Sequence, residues 1–167
     1  STGYKVEHYK QKADGSYGDV ADETENLSGT TGAQATATAK EYVGYIEDTE
    51  NSNRVESGTI AGDGSLVLKL YYKANTSTGY KVEHYKQKAD GSYGDVADET
   101  EKLSGTTGES VNATAKSYAG YTEDTENSNR IASGTVAGDG SLVLKLYYKA
   151  NTSTGYKVEH YKQKADG

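Results

Sequence analysis

The stretch STGYKVEHYKQKADG occupies residues 1–15, returns unchanged at 77–91, and returns again at 153–167. The offset is 76 residues both times, so the chain reads as two full repeats, 1–76 and 77–152, and the start of a third, truncated repeat, 153–167. Self-similarity at a fixed period overrides the single-domain reading that a length of 167 residues would otherwise suggest. The two full repeats differ at 11 positions. Substitutions such as Ala33/Glu109, Gln34/Ser110, Thr36/Asn112, Glu41/Ser117 and Glu56/Ala132 change polar surface, while the opening and closing segments of the repeat are invariant. That is the pattern of a unit keeping its fold, and near identity through recombination gives a similar one.

Within the quoted stretch, Tyr4, Val6 and His8 alternate with Lys5, Glu7 and Tyr9, which predicts a strand with two distinct faces. Asp14-Gly15 supplies the positive-φ residues of a tight turn, and Tyr17-Gly18-Asp19-Val20 reads as the returning strand of a hairpin. The acidic run Asp22–Glu25 then leads into Leu27-Ser28-Gly29, read as a solvated strand or loop. Residues 33–40, AQATATAK, are expected to form one or two helical turns, and Val55 and Ile60 to enter the core. The clearest element is SLVLKLYYK, residues 65–73, after the turn Gly62-Asp63-Gly64. Leu66, Leu68, Leu70 and Tyr72 share one face of it, Val67, Lys69 and Tyr71 the other. Burying three leucines contributes about 2–3 kcal/mol each before entropy is subtracted. The strand is expected to be central and paired to residues 4–11. The fold class expected is a β-dominated α+β arrangement of small domains strung end to end. The junction KANTSTG, residues 73–79, is too short and too ordinary in composition to be a flexible tether.

A unit of this size buries only about 60 % of its unfolded surface. The sequence has no cysteine to staple it, and no Cys/His cluster for zinc. The net charge of −7 opposes nucleic-acid phosphates, and no apolar run approaches the roughly 18 residues of a membrane span. All 16 aromatic residues are tyrosine, a side chain suited to half-wet sheet faces.

The opening Tyr4-Lys5-Val6, the pair Gly29 and Gly32, Gly44-Tyr45, and the closing alternation from Leu66 to Tyr72 form a set. It recurs at Tyr80, Val82, Gly105, Gly108, Gly120-Tyr121 and Leu142 to Tyr148. The set resembles the small repeats of Gram-positive surface adhesins, in particular the mucin-binding-protein (MucBP) type and, more distantly, internalin-type B repeats. That resemblance implies a β-grasp-like module in an extracellular, cell-wall-anchored protein, strung in copies between a binding tip and the wall. The partners it implies are neighbouring repeats and host glycans or mucin. No enzymatic activity, nucleic-acid partner or membrane insertion is implied for this segment.

The candidate chemical sites are sparse. His8, His84 and His160 occur once per repeat without a second histidine or cysteine, so they read as half-buried strand residues rather than catalysts or ligands. The loops Asp14–Asp22 and Asp48–Asn53 offer oxygen ligands but lack the spacing of a calcium-binding loop, and Asp48 with Glu50 lacks a sugar-sized cleft. No Lys–Asn–acid spacing singles out an isopeptide bond around Lys5 or Lys69. No metal, nucleotide or other cofactor is expected. The remaining candidates are surface tyrosines that stack on sugar rings: Tyr9, Tyr17 and Tyr71, with Tyr85, Tyr93 and Tyr147 in the second repeat.

Overall fold

A computed structural model of the protein describes residues 1–166. The first repeat contains β1 (Thr2–Lys10), β2 (Glu23–Gly29), β3 (Gln34–Thr36), β4 (Tyr45–Glu47), β5 (Ser57–Thr59) and β6 (Val67–Ala74). The second contains β7 (Thr78–Lys86), β8 (Glu99–Gly105), β9 (Ser110–Asn112), β10 (Tyr121–Glu123), β11 (Ser133–Thr135) and β12 (Val143–Ala150). The opening and closing strands of each repeat pair in parallel, Lys5 opposite Val67 through Lys10 opposite Tyr72, and Lys81 opposite Val143 through Tyr148 opposite Lys86. Antiparallel neighbours flank this pair, giving the mixed order β2-β1-β6-β4 in one repeat and β8-β7-β12-β10 in the other.

Alternation then sorts the side chains. Val6, His8, Leu68, Leu70 and Tyr72 face inward, while Lys5, Glu7, Tyr9, Lys69 and Tyr71 face outward. The inner face is covered by the two-stranded sheet β3–β5, which contributes Ala35 to the core, with Ala37 and Ile60 following directly after its strands. The second repeat fills the same space with Val111, Ala113 and Val136. Ala35/Val111 and Ile60/Val136 trade methyl groups in opposite directions within one core, a nearly volume-conserving change that cores tolerate well. Leu66 reaches across to Gly58, where a β-carbon would lie 2.7 Å from its Cδ1, so the covering layer sits hard on the sheet.

The helical expectation for residues 33–40 is overturned: Gln34–Thr36 form strand β3, residues 37–40 have no regular structure, and no helix occurs among the described residues, so the fold is all-β rather than α+β. Ala35 and Ala37 are buried between exposed Gln34, Thr36 and Thr38, a two-residue period that a helix cannot present to a flat sheet. Eight residues are also too few for a self-sustaining helix. The returning strand is likewise displaced, being Glu23–Gly29 rather than 17–20. The expected turn does form, with the Gly15 N–H donating to the Lys12 carbonyl, but only Gly15 has positive φ. Asp14 instead accepts from the Ser16 amide and hydroxyl. Tyr17 is drawn over the outer face of the sheet, which lengthens the connection. Ile60 is in the core, but Val55 is 40 % exposed, because its backbone bridges Lys69 at the sheet edge with the side chain outward.

Between β6 and β7 lie only Asn75, Thr76 and Ser77. Residues 152–166 belong to no strand and are exposed throughout. Among the described residues, no backbone hydrogen bond ties them to the second repeat.

Leu70 is fully buried whereas Ile46 is 66 % exposed. Leu70→Ala is expected to cost the first repeat about 2–5 kcal/mol. Ile46→Thr, the residue at the matching position of the second repeat, is expected to stay within about 0.5 kcal/mol. Urea unfolding of the two variants reads both; equal losses would contradict this core assignment.

Candidate functional site

The outer face of the sheet gathers the tyrosines. Register places Tyr9 opposite Tyr71, and their rings stack at 4.8 Å with an interplanar angle of 10°. Tyr17, on the long β1–β2 connection, stands edge-on to Tyr71 at 5.0 Å. The second repeat repeats the arrangement, Tyr85 on Tyr147 at 4.8 Å and Tyr93 edge-on to Tyr147 at 5.0 Å. The six tyrosines singled out in the sequence therefore form two triads, one per repeat. Tyr9 and Tyr71 are only 5 % and 6 % exposed, so most of each ring is spent on its neighbour; Tyr17 is half-buried.

The hydroxyls are also engaged. Tyr9 donates to Glu7 at 2.6 Å, and Tyr17 donates to Asp48 at 3.0 Å. Burial, reinforced by the bond to Glu7, pushes the Tyr9 phenol far above its ordinary range. In the second repeat, burial and the hydrogen bond to Asp124 raise Tyr93 to about 12. Burial works to raise the Asp48 carboxyl, but the hydrogen bonds from Tyr17 and Asn51 and the nearby Lys73 ammonium hold it below the usual carboxylate range. Asp48 is thus a structural acceptor that pins the 48–53 loop to the tyrosine triad. Beside the triad is a depression of about 450 Å³ lined by Tyr9, Tyr17, Asp19, Asn53, Lys69 and Tyr71. It combines an aromatic wall with an amide, an ammonium and a carboxylate. At the junction of the repeats lies a second cleft, of about 500 Å³, walled by small polar residues including Asn75, Ser77, Thr78 and Asp139.

On the inner face, His8 and His84 are fully buried, deeper than the half-buried position expected of them. His160 is exposed in the segment after β12. The Glu25 carboxylate can only accept, so His8 donates Nε2–H to it at 2.7 Å. In the neutral ring Nδ1 then accepts the Tyr72 hydroxyl proton at 2.8 Å, while the Tyr72 oxygen accepts the Lys40 backbone N–H at 3.0 Å. In the second repeat His84 Nδ1 keeps its tyrosine, Tyr148 at 2.7 Å. There, Glu101 sits 3.6 Å from His84 Nε2 and pairs instead with Lys116 at 2.7 Å. One carboxylate, with the same neighbours in both repeats, has an imidazole N–H and an ammonium in reach and takes a different one in each. This network was not legible in the sequence; the one hint was the Tyr71-Tyr72 pair, which must send one hydroxyl to each side of the sheet.

No family model matches the chain, and no curated protein matches it. Among solved structures it is similar to the type 2 repeat of the mucus binding protein MUB from Lactobacillus reuteri. The identity is 12 %, over 90 % of this chain and 100 % of that one, with a TM-score of 0.28. It is also similar to domains 3–4 of the Streptococcal High Identity Repeats in Tandem of a cell surface protein. There the identity is 18 %, the coverage 89 % and 98 %, and the TM-score 0.29. Mub-RV matches at 13 % identity over 90 % and 100 %, with a TM-score of 0.27.

Burial lowers the proton affinity of His84 below the ordinary histidine value of 6.5, partly countered by Glu101 and Glu99 and reinforced by Lys116. With the folded value depressed, the unfolded chain takes up the proton first as pH falls. Stability is therefore intact above about pH 6.5 and is lost progressively below it, down to the folded value. The urea midpoint of the second repeat is expected to drop between pH 7 and pH 5. In His84→Gln, already destabilised at pH 7, the drop over that window is expected to shrink. An unchanged slope in the variant would show that other groups carry the acid sensitivity.

Proposed function

We propose that this chain is a run of spacer modules, 1–76 and 77–152 with the start of a third, from the stalk of an extracellular bacterial surface adhesin or fibre. In that setting the modules project a binding tip from the cell wall and have no catalytic role. The observation that carries this reading is the parallel pairing of the first and last strands of each repeat. Because β1 and β6 run side by side in the same direction, the chain enters a repeat at Thr2 and leaves it beyond Ala74, at the opposite end of the sheet. Nine residues of strand advance about 30 Å, and three linker residues add about 10 Å. Each module then contributes roughly 40 Å of length along the direction of the chain. Tension applied through the two ends loads the β1–β6 hydrogen bonds in shear, all together, rather than opening them one by one. The strand order, with a central parallel pair and antiparallel flanks, supports a β-grasp-like sheet in which β3–β5 replaces the covering helix.

The accessible surface also favours an extended particle. It is 10847 Å², and a compact chain of the same mass, 17.8 kDa, would expose about 8000 Å². Part of the excess belongs to the exposed residues 152–166. Small-angle scattering is expected to give a radius of gyration well above the roughly 15 Å of a compact chain of this length, with a rod-like distance distribution. A globular profile would rule the spacer reading out.

A second reading, a multivalent module with low affinity for mucin-type glycans, is favoured by one feature: the tyrosine-walled depression with its Asn53, Asp19 and Lys69 side chains. Weak sites repeated along an array gain avidity without any new contact. Tyr17 is the triad member with ring surface still open, so Tyr17→Ala, with Tyr93→Ala in the second repeat, is the informative variant. On this reading the parent binds a mucin-type glycan array and the double variant loses at least tenfold in signal. Absence of binding by the parent would leave the modules as spacers alone.

A further inference from the structure

The turn before the closing strand of each repeat contains two glycines, Gly62 and Gly64 in the first, Gly138 and Gly140 in the second. Gly64 and Gly140 have φ of 75° and 74° and are needed by the turn itself. Gly62 and Gly138 do not have positive φ, so backbone conformation does not require them. Nor does packing inside the first repeat, where a β-carbon on Gly62 would meet only Thr31 Cγ2, at an ordinary 3.4 Å.

The second repeat is different because the first one is seated on it. A β-carbon on Gly138 would lie 2.2 Å from the Val43 carbonyl oxygen, 2.9 Å from the Val43 carbonyl carbon and 3.0 Å from Gly44 Cα. All three are backbone atoms and cannot swing aside. From the other side, a β-carbon on Gly44 would lie 2.5 Å from Gly138 Cα and 2.8 Å from Thr107 Oγ1, whereas one on the matching Gly120 would meet nothing within 4 Å. The Thr107 N–H donates to the Asn75 carbonyl at 2.9 Å, and Thr107 is 4 % exposed where its counterpart Thr31 is open to solvent.

Both halves of this contact exist where nothing is docked. Asn75 N–H donates to the Gly44 carbonyl at 2.9 Å, and Asn151 N–H donates to the Gly120 carbonyl at 2.8 Å. Thr78 and Thr107 share a hydroxyl hydrogen bond at 2.7 Å, as do Thr2 and Thr31 at 2.6 Å. The seat and the plug are built by each repeat on its own, and joining them orders no new segment.

We propose that the glycine at position 62 of the repeat, Gly138 in the second, is a docking residue. Its missing side chain admits the Val43-Gly44 backbone of the preceding copy and fixes the angle between neighbours, and Gly62 is the same seat on the first repeat, fitted to a preceding copy of this module. The proposal rests on the spacer reading and adds to it that the junction is a rigid, specific joint.

Because the chain has no cysteine, spin labels can be placed uniquely at Val20→Cys and Val96→Cys, both 83 % exposed. Pulsed dipolar spectroscopy of the labelled parent is expected to give one narrow distance distribution. Gly138→Ala is expected to broaden or shift it while the strand circular dichroism is retained; Gly62→Ala is expected to leave distribution and melting unchanged. An unaltered distribution in Gly138→Ala overturns the proposal. So does a Gly62→Ala variant that is destabilised as much as Gly138→Ala, since the glycine would then serve the fold of the repeat. A broad distribution in the parent overturns the joint while leaving the scattering test of the spacer reading untouched.

Discussion

The parallel ladder between the first and last strands of each repeat is the constraint on which the rest depends. It extends beyond the strands proper, from the Lys5 N–H on the Leu66 carbonyl to the Gln11 N–H on the Tyr72 carbonyl. A parallel pair cannot be closed by a tight turn, so everything between residues 11 and 66 has to serve as crossover. That crossover supplies both sheet edges, through β2 and β4, and the covering layer β3–β5. The same ladder sets His8 beside Leu70 in the core and Tyr9 beside Tyr71 outside. One register therefore builds the buried polar network and the tyrosine triad together.

Near-identical repeats carry a hazard that the junction removes. β7 has the same sequence as β1 and would suit β6 equally well as a parallel partner. Three residues separate β6 from β7, and a parallel crossover needs on the order of a dozen. The short connection forbids the wrong pairing between adjacent copies and at the same time brings Asn75 and Gly44 onto Thr107 and Gly138. Exchange of strands is a characteristic failure of tandem repeats, and here linker length opposes it without any change in the strands.

The polar network in the core costs desolvation that an apolar core would avoid, yet nearly all of it is satisfied. Tyr72 both accepts and donates, His8 uses both nitrogens, and Glu25 and Glu23 draw in Lys40 and Tyr42. In the second repeat Glu101 has gone to Lys116, and His84 Nε2 is left as a buried nitrogen without a partner. The acid sensitivity expected of the repeat comes first from burial of this ring, since a histidine held neutral in the fold takes up a proton once the chain is unfolded at low pH.

The sequence by itself determined the repeat length, the presence of strands within residues 4–12 and 65–73, and the faces of both strands. These follow from two-residue alternation, which local sterics impose wherever a chain is extended. It did not determine the covering layer. Residues 33–40 have the composition of a helix, but Ala35 and Ala37 are held in an extended segment around β3 because the exposed inner face of the sheet needed a flat cover, a requirement visible only once Val6, Leu68 and Leu70 were side by side. The loop Asp48–Asn53 showed in the sequence only as a set of oxygen ligands without a calcium-binding spacing, yet it holds the buried Asp48, because Tyr17 was carried over the sheet to meet it. Gly138 looks like an ordinary turn residue until the preceding repeat is set against it. Alternation is a property of neighbours in the chain; a cover, a buried acceptor and a docking seat depend on what a distant segment brings, and only the tertiary structure decides that.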